Sequence, residues 1–226
     1  MISANLKQRI YTSLLLLLLV FLVLNFNIIL VYTLILIGVY SALEFLSISK
    51  KIFINKFLEI VSNIFFIFYI FLFCFMFYFL SSFALIKLIL YSLLFTCIAS
   101  DIGGFCFGKI FKGPKLTKIS PNKTYAGVFG GFLLAVVAGL VYDNFYYPVI
   151  PIYLETFINY SIEMKLLIFI LIISLISQIG DLIISYFKRL ANVKDTGKII
   201  PGHGGILDRI DGLIFAIPIS YLILIL

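Results

Sequence analysis

The chain has 226 residues, 63% of them hydrophobic and 12% charged, with a mean hydropathy of +1.21. That balance excludes a soluble globular core, and the alternating short strands of an outer-membrane barrel are absent from the sequence. The net charge of +7 sits in short segments between apolar runs, which favours anionic headgroups or a phosphate-bearing substrate over nucleic acid.

A hydrocarbon core about 30 Å thick takes about 20 apolar residues per helix. Backbone that crosses it must satisfy its own hydrogen bonds, so the apolar runs predict an all-α polytopic membrane bundle. Seven spans are expected, with six and eight as neighbouring counts, at 10–24, 28–48, 58–80, 83–102, 126–142, 165–187 and 210–226. Lys7 and Arg9 precede a Leu-rich run as in a secretory leader, but no small-residue cleavage site follows before Asn25, so the run is read as the first helix. Residues 25–27 read as a tight hairpin, and Ser81 with Ser82 as the break between the third and fourth spans. Lys50, Lys51 and Lys56 form one basic loop, and Lys109, Lys112, Lys115, Lys118 and Lys123 a second. Residues 143–162 hold two acids, Asp143 and Glu155, and no base. With a cytoplasmic N-terminus, 15 of the 17 basic residues fall on the cytoplasmic side, with Lys87 and Lys165 the exceptions; this is the positive-inside pattern. Cys74, Cys97 and Cys106 lack CxxC spacing, so neither a metal site nor a disulfide is expected of them.

The segment 180–212 holds nine of the 27 charged residues and the single histidine. The expected division is therefore a scaffold, 1–100, and a catalytic membrane domain, 101–226, with cytoplasmic loops at 101–127 and 180–212. Asp181 lies inside an apolar helix, with Ser185 and Lys188 on the same stripe. A carboxylate there is either a metal ligand or an interfacial partner of Lys188. Asp208 and Asp211 share a face if helical, and two such carboxylates repel unless a cation or proton lies between them. Magnesium, a hard cation that keeps phosphates and water among its ligands, suits Asp181, Asp208 and Asp211; the alternative is a solvated helix start with Arg209 pairing outward. Around His203, the glycines Gly202, Gly204 and Gly205 could bring amides to phosphate oxygens, although the spacing is not that of a Walker loop. His203 itself is a hydrogen-bond donor to a phosphate, a proton shuttle or a structural residue. Lys188, Arg189, Lys194 and Lys198 suit a polyphosphate and equally a membrane anchor. Upstream, Asp101, Ser120, Lys123 and Thr124 form a second polar cluster.

The run Ser185-x-x-Lys188-Arg189-x4-Lys194-Asp195-x-Gly197-x3-Pro201-Gly202-His203-Gly204-Gly205-x2-Asp208-Arg209-x-Asp211 resembles the signature of the phosphatidate cytidylyltransferases, also called CDP-diacylglycerol synthases. Ser120-Pro-Asn-Lys-Thr with Gly127, and Asp101-x-Gly103 with Gly108-Lys109, resemble that family's second block. The resemblance implies that CTP (or dCTP) and phosphatidate give CDP-diacylglycerol and pyrophosphate, in phospholipid biosynthesis. It implies a bacterial-type inner membrane, a cytoplasmic site, one or two magnesium ions, a monovalent cation as a further option, and a homodimer as one assembly. Catalytic roles would fall to Asp181, Asp208, Asp211, Lys188, Arg189 and His203. Substrate binding would fall to Ser185, Lys194, Asp195, Gly204, Gly205, Arg209, Ser120, Lys123, Thr124 and Asp101. Phosphoryl-type transfer is mainly positioning and charge neutralisation, and a lipid phosphate is already anionic at neutral pH, so a site rich in cations and carboxylates suits it. A CDP-alcohol phosphotransferase would need an Asp-Gly-x-x-Ala-Arg run, whereas Asp211-Gly212 continues Leu-Ile-Phe-Ala. A cation-coupled transporter is the alternative that would also use Asp181, but it calls for charges near mid-membrane rather than at one face.

Overall fold

A computed structural model describes residues 4–117, 120–146, 162–202 and 204–225. Among these there are eight helices and no strand: α1 Ala4–Asn25, α2 Asn27–Ile52, α3 Lys56–Ser82, α4 Ala84–Phe111, α5 Tyr125–Tyr146, α6 Ile162–Leu190, α7 Leu207–Ile210 and α8 Leu213–Ile225. Seven of them coincide with the seven expected spans. Five stretches are long and apolar enough to cross a membrane: Asn27–Ile52, Lys56–Ser82, Ile86–Phe111, Tyr125–Tyr142 and Met164–Leu190. Tyr11–Asn25 and Leu213–Leu224 are shorter apolar helices. The chain is a polytopic membrane helical bundle.

Two helix breaks are tighter than expected. Phe26 alone separates α1 from α2, in an extended conformation (φ −121°, ψ 109°), while Phe26 N–H still donates to Leu22 O at 2.9 Å. Ser81 and Ser82 belong to α3, and the break falls on Phe83 (φ −106°, ψ 129°).

The residues pack as two compact units. The first comprises Met1–Tyr78 and Phe187–Ile210. Its interior is built from one stripe of each helix, including Leu30, Leu34, Phe45 and Ile48 of α2 and Phe66, Ile70 and Phe73 of α3. Phe45 stacks on Phe66 at 3.9 Å between ring centres and meets Phe187 edge-on at 5.7 Å, both favourable arrangements for aromatic quadrupoles. Ile64, Phe65, Phe68 and Phe71 on the other side of α3 are exposed, as lipid-facing residues are.

The second unit comprises Phe79–Tyr186 and Asp211–Leu226. Its centre is a glycine seam between α4 and α5. A Cβ on Gly103 would overlap the carbonyl of Gly130, one on Gly127 would lie 2.7 Å from Gly104 O, and one on Gly108 would lie 3.2 Å from Thr124 Oγ1. Small residues let helix backbones approach in this way where lipid supplies no hydrophobic drive. The seam corrects one expectation. Gly103 and Gly104 were expected to open a loop after residue 102, but α4 continues to Phe111 because those glycines are packing positions within a helix. Three polar side chains inside this unit are joined to one another: Ser100 and Ser174 hydroxyls lie 2.8 Å apart, and Gln178 Nε2 donates to both, at 3.3 and 3.2 Å. Tyr142 donates its hydroxyl to Leu88 O at 2.9 Å.

Gly103→Ala tests the seam. Alanine favours a helix over glycine by about 1 kcal/mol, whereas forcing extra volume into a packed contact costs about 1–3 kcal/mol. The collision with backbone should win, lowering the melting temperature in detergent. Gly38→Ala, whose Cβ would meet only Cys74 Sγ at 3.5 Å, should leave it unchanged or slightly raised.

Candidate active site

The second unit contains a cavity of about 320 Å³, within the size range of small-molecule sites. Its wall includes Asp101, Ser120, Lys123, Thr124 and Asp181, five side chains singled out in the sequence. The segment Ser120–Thr124 is shaped by its own chemistry. Lys123 N–H donates to Ser120 O at 3.0 Å, closing a turn in which Pro121 takes the position its fixed φ favours. Thr124 Oγ1 accepts the Gly127 amide at 3.1 Å, capping α5. Leu116 N–H to Lys123 O at 2.8 Å and Tyr125 N–H to Pro114 O at 3.2 Å tie both arms together. Lys123 is thereby aimed at Asp181, with Nζ to Oδ2 at 2.5 Å, and Ser185 donates to Asp181 Oδ1 at 3.3 Å. The sequence alternative paired Asp181 with Lys188; in the structure Lys123 takes that place. Gln178 and Asn122 also line the cavity and were not foreseen. Gln178 sits one turn before Asp181 on the same helix, which is the signal that could have found it.

The first unit holds the other half of the motif. α6 ends in a Schellman arrangement: Asn192 takes φ 53°, Val193 N–H donates to Lys188 O at 2.9 Å and Asn192 N–H to Arg189 O at 3.1 Å. The chain then doubles back where Ile200 and Gly204 exchange backbone hydrogen bonds of 2.9 and 3.1 Å. Gly204 has φ 87°, a conformation that glycine adopts without strain. Asp208, at the start of α7, is the hub. Its Oδ1 accepts Lys188 Nζ at 2.7 Å, and its Oδ2 accepts the Thr196 amide at 2.8 Å, the Gly205 amide at 3.0 Å and the Thr196 hydroxyl at 3.0 Å. The amides of Gly204 and Gly205 are thus spent inside the loop rather than offered to a ligand. Arg189, Lys194, Asp195 and Arg209 are exposed around it. His203 lies outside the described residues. Asp211, in the second unit, accepts the Gly212 amide at 2.9 Å.

The residue missed in the sequence is Glu44 of α2. It is 4% exposed, yet its carboxylate accepts the Thr196 hydroxyl at 2.7 Å and the Ile206 and Leu207 amides, each at 2.9 Å. It is the only charged residue between Arg9 and Lys50, and an ionisable residue within an apolar span is a functional candidate by default.

Among the described residues, no three His, Cys, Asp or Glu side chains gather as a metal cluster. Asp101 and Asp181 with the hydroxyls of Ser120 and Thr124 nevertheless give one cavity a set of hard oxygen donors, which suits magnesium completed by phosphate oxygens and water. Asp208 fits less readily, since beside Lys188 it is held by two backbone amides, whereas the donors on Asp181, Lys123 and Ser185, are side chains that can turn away.

The family model for the cytidylyltransferase family matches residues 3–226. The chain belongs to that family. Among its relatives, the phosphatidate cytidylyltransferase of Rickettsia felis is 43% identical over 143 residues, 59% of this chain and 58% of that protein. That of Rickettsia prowazekii is 45% identical over 134 residues, 58% and 57% of the two chains. That of Staphylococcus epidermidis is 37% identical over 142 residues, 62% and 50%. The aligned part of this cytidylyltransferase-family chain thus spans little more than half the length of these relatives.

The Asp208 carboxyl offers a pH test. Burial pushes it up, but the Lys188 hydrogen bond, the Gly205 and Thr196 amides and the Lys188 charge together outweigh burial and hold it below its ordinary value of 3.8. A depressed carboxylate stabilises the fold fully above its unfolded value and loses that contribution as pH falls through the folded one. Asp208→Asn should therefore lower the melting temperature at neutral pH. Its deficit relative to the unmodified chain should shrink only below about pH 4, which thermal melts across an acid series would read.

Proposed function

We propose that the protein is a phosphatidate cytidylyltransferase, transferring the cytidylyl group of CTP to phosphatidate at the cytoplasmic face of a bacterial-type plasma membrane, with magnesium. The observation that carries this reading is the cavity in which Asp101, Asp181, Lys123, Ser120 and Thr124 converge, together with the names of the relatives. The clustering of basic residues in the connections on one side supports the orientation, with the N-terminus cytoplasmic.

In the reaction an oxygen of the lipid phosphate attacks the α-phosphorus of CTP. A new P–O bond forms as the α–β bond breaks, and pyrophosphate carries away the bonding pair. Magnesium bound at Asp181 and Asp101 would neutralise phosphate charge and polarise the phosphorus. Lys123 reaches a phosphate by releasing Asp181, exchanging one anionic partner for another. Ser185 holds Asp181 from the opposite oxygen, fixing its direction. Lys188, fixed by Asp208, presents its remaining donors to a phosphate, and Arg189 and Lys194 add exposed positive charge. Asp211 is a further ligand that the motif offers, and Asp208 acts through the Lys188 that it holds. No general base is needed, because the attacking phosphate is already anionic.

The test is pyrophosphate release by the purified chain in detergent, with CTP and phosphatidate, with magnesium or with chelator. Turnover should require both substrates and the metal. Asp181→Asn and Lys123→Ala should each lose roughly 100- to 1,000-fold in kcat, the loss seen when one group that stabilises transition-state charge is removed. A folded, unmodified chain that turns over neither CTP nor dCTP would sink the reading.

A further inference from the structure

We propose that Glu44 is a positioning residue for the reaction: from within α2 it holds the loop 196–207 so that Asp208 and Lys188 keep their geometry. The proposal rests on the functional reading above for its kinetic consequence, but its structural half stands alone.

Three donors converge on this one carboxylate. Thr196 Oγ1 and the Leu207 amide meet Oε2, and the Ile206 amide meets Oε1. The last two are orphan donors at the start of α7, so Glu44 acts as a helix cap supplied by a remote segment. A helix of one turn has little stability of its own, and Asp208 stands on it. Thr196 links the two acids directly, because its hydroxyl lies 2.7 Å from Glu44 Oε2 and 3.0 Å from Asp208 Oδ2. Asp208 in turn holds Lys188 at 2.7 Å. A path of hydrogen bonds therefore runs from α2 to the lysine at the end of α6, all within the first unit.

The motif's glycines point the same way. A Cβ on Gly197 would collide with Glu44 alone, meeting its Oε1, with Cδ at 2.8 Å and Cγ at 3.1 Å. A Cβ on Gly205 would collide with both Glu44 oxygens and with Thr196 Oγ1. Neither glycine has positive φ, so neither is required by backbone conformation. The space a Cβ would need is taken by the carboxylate at Gly197, and by the Thr196 hydroxyl together with the carboxylate at Gly205. Two of the motif's glycines are thus accounted for by a residue about 150 positions away, on a helix that no motif marked.

The experiment compares the full chain with Glu44→Gln, Gly197→Ala and the double variant Gly197→Ala/Glu44→Asp. Glutamine fills the same volume but replaces one acceptor by a donor, which then faces an N–H or O–H. Three readouts are taken: kcat and KM for CTP, the melting temperature, and the rate of tryptic cleavage after Lys194 and Lys198, both exposed in this loop. Glu44→Gln should lower kcat by roughly 10- to 100-fold, the loss seen when a group that orients a site residue is removed, with KM for CTP changed far less. Cleavage after the two lysines should accelerate. Gly197→Ala should reproduce both effects, and shortening the acid in the double variant should restore part of each. Wild-type kcat and wild-type cleavage in Glu44→Gln would overturn the proposal, as would a Gly197→Ala defect that Glu44→Asp leaves untouched. If the unmodified chain fails to turn over, the functional reading fails, and the cleavage rates still decide whether Glu44 orders the loop. If Glu44→Gln does not fold, the Gly197→Ala pair carries the decision.

Discussion

Charge carried into an apolar helix bundle must be compensated where it stands, and that constraint shapes both halves of this chain. Asp181 is met by Lys123 and Ser185, Asp208 by Lys188 and two amides of the loop, and Glu44 by two amides, while the Thr196 hydroxyl is shared between Glu44 and Asp208. Removing one partner of such a pair leaves the other uncompensated, which costs far more than the pair itself contributes. The compensation is also local in each unit. Asp181 of the second unit is answered by a turn of that unit, and Glu44 and Asp208 of the first by a loop of the first.

Pairing of this kind is compatible with phosphate chemistry for a simple reason. A lysine held against a carboxylate is already oriented, and when it turns to a phosphate the carboxylate it leaves calls for another cation in its place. Pre-oriented charge of this sort needs little reorganisation as the reaction proceeds. The hydroxyls of Ser185 and Thr196 play a complementary part. Each touches a carboxylate that also carries a lysine, and so fixes the direction of an acid whose charge is already balanced.

The helices were legible because length and hydropathy decide them: an apolar run crossing lipid has no alternative to internal hydrogen bonding. The motif residues Asp101, Ser120, Lys123, Thr124 and Asp181 were legible because polar groups in such runs are costly without a use. Three features were not. The continuation of α4 through Gly103 and Gly104 was hidden because glycine reads locally as a breaker, and only the approach of α5 shows it to be a contact. The amides of Gly204 and Gly205 read as phosphate donors until Ile200 and Asp208 were seen to take them. Glu44 was overlooked because its partners lie more than 150 positions away, beyond any spacing rule. A single acid in a stretch otherwise free of charge was the available sign.

The glycine seam has a further consequence. With α4 and α5 in backbone contact at Gly103, Gly104 and Gly127, and the intervening segment cross-tied at Leu116, Lys123 and Tyr125, the described residues of that wall are held through their backbone. Its softest coordinate is the torsions of the Lys123 side chain. Side-chain torsions of that kind change in picoseconds to nanoseconds, faster than the loop closure that many enzymes rely on.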